Sequence, residues 1–283
     1  MRRIAATPVV LVLALALSAC LPQPQAPAGA PGSVIAAVDD PINGGGRGFS
    51  WYQTPAATPG RNLTLGFIPG RGDAERKSIL IVPGSNGLSE SYLKLAREYA
   101  KAGFDVGVAC FFAPSFWGVM TADLVSCYNA PLFTGQSDAA ARDLSALVDA
   151  MRLVPGQEGR AIGLVGHSRG GGAIAVRASD GHKDPIVVAS GLLTFPLTWP
   201  FDVATDVMPF NRVTSITAPT FVWHAADDWL VEVAQAEWFV LAMGLAGHDV
   251  TYRRDPTGSH EFLLGPAQPE FVAVTGNWLR ERL

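Results

Sequence analysis

"RAIGLVGHSRGGGAIAVRAS", residues 160–179, decides the fold. A short apolar run leads into one serine, Ser168, set among Gly166, Gly170, Gly171 and Gly172, and an alanine-rich segment follows. A strand that ends at Gly166 and must enter a helix within a few residues needs a very sharp turn. Such a turn drives its central residue towards positive φ and leaves no room for Cβ atoms two positions to either side. Gly166-x-Ser168-x-Gly170 meets that requirement. It pushes a strained serine out above the sheet, beside a helix N-terminus that favours developing negative charge. The bland alternative is a glycine-rich strand-to-helix turn with an idle serine. The apolar strand before it and the helix after it are the context a nucleophile elbow requires.

Outward from this turn the chain alternates apolar strands with amphipathic helices. "SILIVPG" (78–84), "DVGVACFF" (105–112), "AIGLVG" (161–166), "PIVVAS" (185–190), "PTFVWH" (219–224) and "HDVTYRR" (248–254) are strand candidates. The continuous apolar runs among them suit strands covered on both faces. Between them lie helices. Residues 89–104 place Leu95, Tyr99 and Ala102 on one face. Residues 137–156 put Leu144, Leu147, Val148 and Met151 at helical spacing, with Ser137 as N-cap and Pro155-Gly156 as the stop. Residues 233–247 carry Trp238, Leu241, Ala242 and Leu245 as a stripe, and 268–283 close the chain. "FSWYQ" (49–53) and "NLTLGFI" (62–68), joined without a helix, predict an antiparallel N-terminal edge. The expectation is an α/β fold: a mostly parallel central sheet with helices on both faces and no large lid domain.

A serine hydroxyl needs a base, and the base needs an acid to orient it. In the order usual for an elbow, Ser then Asp or Glu then His, "FVWHAADDWLVEV" (221–233) offers Asp227 and Asp228 in a post-strand loop. "RRDPTGSHEFLLG" (253–265) offers His260 in the next such loop. Of five histidines, His260 alone is both downstream of the acid and in a loop after a strand. His167 lies inside the elbow with its side chain directed away from the serine's, and His182, His224 and His248 read as surface or strand-end residues. No histidine pair has metal-ligand spacing and no Cys-x-x-Cys occurs, so neither metal nor cofactor is expected.

These residues carry a resemblance. "VGHSRGGG", "HAADDWLVE" and "GSHEF" resemble the elbow, acid loop and histidine loop of the α/β-hydrolases, closest to the dienelactone-hydrolase-like and bacterial polyesterase-like branches. The likeness runs from about Phe49 to the C-terminus. In that family the catalytic aspartate commonly stands three residues before a valine, which selects Asp228, followed by Val231, over Asp227. Dienelactone hydrolases proper use a cysteine nucleophile, so Ser168 leaves that particular substrate open. The resemblance implies an ester hydrolase acting through Ser168, Asp228 and His260. It places the oxyanion donors at the backbone N–H of Arg169 and, in "PGSNG" (83–87), of Ser85, with Asn86 second. The same three residues would equally serve a peptidase or an acyltransferase, and an idle envelope binding lipoprotein on this fold is the alternative outside enzymes. The aromatic stretches "FFAPSFWG" (111–118) and "FPLTWPF" (195–201), with Trp229, either wall an acyl pocket or form a satellite core. The lack of a large insertion suits short or extended small-molecule or oligomeric esters.

The chain begins with a targeting signal. Arg2 and Arg3 precede an apolar stretch (9–17) too short to span a bilayer, and "LSAC" ends in Cys20. That tetrapeptide resembles the lipobox of bacterial lipoproteins, whose cysteine carries lipid after cleavage; the alternative is an ordinary signal peptide cut after a small residue, with Cys20 incidental. The expected organisation is a signal peptide at 1–19, a lipidated Cys20 with a Pro/Ala-rich linker to residue 45, and the catalytic domain at 46–283. That places the protein in the bacterial cell envelope, held to a membrane by its anchor. "LPQPQAPAGAPG" (21–32) cannot bury enough surface to fold and suits a tether. Outside the cytoplasm Cys110 and Cys127 could bridge or stay as thiols. The 283 residues are 48% hydrophobic with a formal charge of −4, enough for one large core and wrong in sign for a nucleic-acid surface. Oligomeric state leaves no mark.

Overall fold

Ile79, Leu80, Ile81 and Val82 are all buried, and they alternate between two separate cores. That alternation explains the unbroken apolar run: both faces of this strand are covered. In the computed structural model, which describes residues 35–39, 46–57, 62–72, 76–85, 87–110, 138–194 and 208–283, they belong to strand β4 (Ser78–Val82). Around it lie β1 (Ala36–Val38), β2 (Ser50–Pro55), β3 (Asn62–Ile68), β5 (Asp105–Cys110), β6 (Ile162–His167), β7 (Ile186–Ala189), β8 (Thr220–Ala225) and β9 (Val250–Asp255). The sheet order is β1-β2-β3-β5-β4-β6-β7-β8-β9. The strands from β5 to β9 in that order are parallel, and β1, β2 and β3 form an antiparallel edge on β5.

Helices cover both faces. One core packs α2 (Asp138–Leu153), α3 (Arg169–Ser179) and α4 (Val233–Leu245) on the sheet through Leu144, Leu147, Ile174 and Phe239. The opposite core packs α1 (Glu90–Lys101) and α5 (Gln268–Arg280) through Leu95, Tyr99, Phe271 and Trp278. In α2 the four residues at helical spacing, Leu144, Leu147, Val148 and Met151, are all fully buried, as the periodicity predicts. Ser137, its expected N-cap, lies outside the described residues.

Two features differ from expectation. β1 pairs with β2 (Ala36 opposite Gln53, Val38 opposite Trp51), inside the segment whose composition reads as linker. Its three residues are too few to show a period-2 pattern. In α4 the predicted stripe faces the wrong way. Trp238, Leu241 and Leu245 are 53%, 52% and 68% exposed, whereas Ala236, Phe239 and Met243 are buried. The helix is apolar almost all round, so two stripes compete and spacing alone does not choose between them. Phe239 and Met243 win because they reach the core on the side of the helix that packs against β8 and β9.

No helix among the described residues is long and apolar enough to cross a membrane. Residues 1–34, including Cys20, lie outside the described residues, as do both aromatic stretches, 111–118 and 195–201. Cys110 is disulfide-bonded; Cys127 lies outside the described residues.

Candidate active site

The strands β4 and β6 are neighbours in register, with Val82 opposite Gly166, so their C-terminal loops lie side by side. Ser168 follows β6 directly and takes φ 52°, ψ −119°, a conformation costly for a residue with a side chain. The flanking glycines are obligatory for contact reasons. A Cβ on Gly166 would lie 2.6 Å from the Gly170 carbonyl oxygen, and one on Gly170 would lie 2.3 Å from that of Val82. The backbone of α3 therefore starts against the end of β4. Ser168 N–H donates to the Ala189 carbonyl and the Ser168 carbonyl accepts from Leu192 N–H, which ties the bend to β7 and the chain after it.

The structure brings Ser168, His260 and Asp228 together. His260 Nε2 lies 2.9 Å from Ser168 Oγ, and His260 Nδ1 donates to Asp228 Oδ2 at 2.8 Å. All three are buried. Asp227, the neighbouring candidate, is exposed. The loop after β8 turns so that Leu230 and Val231 donate their N–H groups to Asp228 Oδ1 at 3.0 and 2.8 Å. His224 Nε2 stands 3.4 Å from Asp228 Oδ2 while donating to the Val231 carbonyl at 2.8 Å. Burial alone would raise the Asp228 carboxyl. The hydrogen bonds from His224, His260 and Val231, with the His260 charge, hold it well below the usual carboxylate range. A carboxylate ionised at every working pH fixes the imidazole with its proton on Nδ1 and leaves Nε2 free to accept from Ser168 Oγ.

His260 sits in the loop between β9 and a short 3-10 helix, Phe262–Leu264. The loop is tight: Asp255 Oδ1 accepts from Thr257 N–H at 3.1 Å, and a Cβ on Gly258 would be 3.1–3.2 Å from Asp255, Phe262 and Ala225.

Of the expected oxyanion donors, Arg169 is the first residue of α3, directly after Ser168. Ser85 is in the turn after β4, closed by a Gly87 N–H to Gly84 carbonyl bond of 3.0 Å. A Cβ on Gly84 would be 3.1 Å from Ser168 Cβ, so this turn lies against the serine. Asn86 lies outside the described residues. Trp229, beside Asp228, is 75% exposed.

Residues 79–279 match the family model described as the alpha/beta hydrolase family. The chain belongs to that family. Solved structures resemble this alpha/beta hydrolase at low identity. Esterase Est22 matches with a TM-score of 0.65 at 15% identity, over 83% of this chain and 81% of that one. The Pyrococcus furiosus esterase Pf2001 matches with a TM-score of 0.60 at 18% identity, over 82% and 93%. An acylaminoacyl peptidase from Pyrococcus horikoshii matches with a TM-score of 0.61 at 14% identity, over 83% of this chain but 41% of the peptidase. The hydrolase therefore spans about two fifths of that peptidase's length. No curated protein matches the sequence.

Two residues of this hydrolase's site escape sequence reasoning. His224 is fully buried against Asp228, where its position suggests an unremarkable strand end. Tyr92, in the first turns of α1, is buried with its hydroxyl against His167. A polar ring in an otherwise apolar strand end, and a tyrosine on the inward face of a helix, are the available signals. Neither names its partner. Among the described residues no group of three or more His, Cys, Asp or Glu side chains could hold a metal ion.

Proposed function

We propose that this protein is a serine hydrolase of carboxylic esters, working through an acyl-enzyme and tethered to a bacterial envelope membrane by a lipidated Cys20. The observation that carries the reading is the unbroken hydrogen-bonded chain Ser168 Oγ, His260 imidazole, Asp228 carboxylate, built on a strained turn at the head of α3. His260 Nε2 takes the Ser168 proton as Oγ bonds to the ester carbonyl carbon, and Asp228 stabilises the imidazolium formed. The carbonyl oxygen becomes an oxyanion facing the Arg169 and Ser85 backbone N–H groups; each such donor is worth about 3–4 kcal/mol when removed. The tetrahedral species collapses, the C–O bond to the alcohol breaks, and the alkoxide leaves with the proton from His260. Water, deprotonated by the same imidazole, then attacks the acyl-Ser168 and releases the acid. Esterase neighbours and the matched family support this class of chemistry. The anchor rests on the sequence of residues 1–20.

The test is turnover of p-nitrophenyl esters of graded acyl length by the purified protein, with Ser168→Ala beside it. The reading expects kcat to fall by about 10⁴- to 10⁶-fold in the variant. Equal turnover by both proteins contradicts it. Preferential acyl transfer to added alcohols over water would assign the same residues to an acyltransferase.

A further inference from the structure

Behind the serine runs a second chain of hydrogen bonds that the proposed chemistry does not use. Gly84 N–H donates to Tyr92 Oη at 2.9 Å, Tyr92 Oη lies 2.6 Å from His167 Nδ1, and His167 Nε2 lies 2.9 Å from the backbone carbonyl of His260. Tyr92 and His167 are both buried. Resting on the esterase reading, we infer that Tyr92 and His167 form a brace of positioning residues, which holds the Ser85 turn and the His260 loop in register with the Ser168 hydroxyl.

The proton order along this chain is forced. A carbonyl only accepts, so His167 Nε2 carries a hydrogen and donates it to His260. Nδ1 of a neutral ring is then bare and accepts from the Tyr92 hydroxyl, whose oxygen in turn accepts from Gly84. Burial, then the neighbouring His260, push His167 down to about 3, with His224 acting the same way and Asp228 opposing. The ring is therefore neutral wherever the enzyme works. Burial likewise raises Tyr92, so its phenol keeps its proton. Every link points one way at every working pH.

Its ends explain why such a chain sits here. One end is the turn that carries Ser85, at a glycine packed against Ser168 Cβ. The other is the backbone of the proposed base. His260 is thus held at two points, its carbonyl by His167 and its ring by Asp228. The middle member, His167, precedes the nucleophile, and its ring centroid is 5.0 Å from that of His260. One rigid link sets the three moving parts of the reaction relative to each other. A displacement of about 1 Å in such a site costs on the order of 100-fold in rate.

Tyr92→Phe removes the central hydroxyl, His167→Gln keeps a donor towards the His260 carbonyl, and His167→Leu removes both contacts. The brace predicts that Tyr92→Phe lowers kcat by about 10- to 100-fold with KM changed less than about 3-fold. It predicts that His167→Gln retains more activity than His167→Leu. The inhibition constant for a trifluoromethyl ketone, which builds an oxyanion on Ser168, should rise by the same factor as kcat/KM falls. Lowered melting temperatures with unchanged kcat and inhibition at 15 °C would reduce the pair to packing and overturn the inference. Nitrogen NMR of the unmodified protein supplies a readout independent of variant folding and of turnover. His167 must be the Nε2–H tautomer from pH 6 to 8, and an Nδ1–H tautomer or a charged ring overturns the brace. Should the unmodified protein hydrolyse no ester, the esterase reading fails by itself, and the tautomer still decides whether the brace exists.

Discussion

The Cα of Gly170 stands so close to the end of β4 that a Cβ there would lie 2.3 Å from the carbonyl oxygen of Val82 and 2.4 Å from that of Pro83. Both obstacles are backbone, so no rotamer change relieves them. Gly170→Ala is expected to destabilise the protein by about 3 kcal/mol, a fall in melting temperature of roughly 6–12 °C. Gly244, helical and with nothing within 4 Å of its Cβ position, is the control. There alanine should stabilise by about 0.5–1 kcal/mol. Calorimetry on the two variants checks the opposite signs.

Ser168 holds φ 52° with a side chain attached. Glycine adopts that conformation freely, so Ser168→Gly should raise stability by about 1 kcal/mol while abolishing turnover. A variant that is inactive and melts about 2–4 °C higher would show the strain and the chemistry at one position. A lower melting temperature would mean the hydroxyl contributes more to the fold than the bend costs.

Asp228 and Asp227 are adjacent in sequence and opposite in setting, one buried and hydrogen-bonded by Leu230, Val231 and His260 with His224 at 3.4 Å, the other exposed. Asp228→Asn should lower kcat by about 10⁴-fold through loss of the correct imidazole tautomer. Asp227→Asn should stay within about 2-fold of the unmodified enzyme, since its side chain is exposed to solvent. Steady-state kinetics on a soluble ester separates them.

Acid should weaken the fold through His167 before it weakens it through Asp228. In the unfolded chain a histidine takes up its proton near pH 6.5, whereas in the folded protein His167 resists until about 3. Its contribution is present in full above pH 6.5 and is lost as pH falls through that window, because the unfolded state binds the extra proton. The slope is about 1.4 kcal/mol per pH unit. Asp228, also held below its unfolded value, contributes stability that is present above about pH 4 and lost as pH falls further. Urea unfolding at pH 7, 6, 5 and 4 should show stability falling towards acid, with a shallower fall in His167→Gln.

The architecture was largely legible because its determinants are local. The unbroken apolar runs marked strands covered on both faces, and Gly166 and Gly170 marked a bend where neighbouring backbone leaves no space. What was not legible depends on which surfaces meet. The two stripes of α4 differ only in what lies across from them, and Trp238 loses to Phe239 for that reason. Asp227 and Asp228 differ by one residue of loop; the loop's own residues leave them level, the family's aspartate-to-valine spacing selects Asp228, and the turn that aims the Leu230 and Val231 N–H groups at Asp228 supplies the physical reason. Tyr92 and His167 are 75 positions apart, and His167 and His260 are 93 apart. Nothing in the spacing announces that the start of α1 joins the elbow and the histidine loop.

The most direct measurement of the central claim is reaction of the intact protein with a fluorophosphonate, followed by mass spectrometry of the modified peptide. A serine made nucleophilic by His260 must be phosphonylated stoichiometrically, at Ser168 alone, and the label must vanish in His260→Ala. Unlabelled protein, or label spread over other residues and indifferent to His260, would contradict the account.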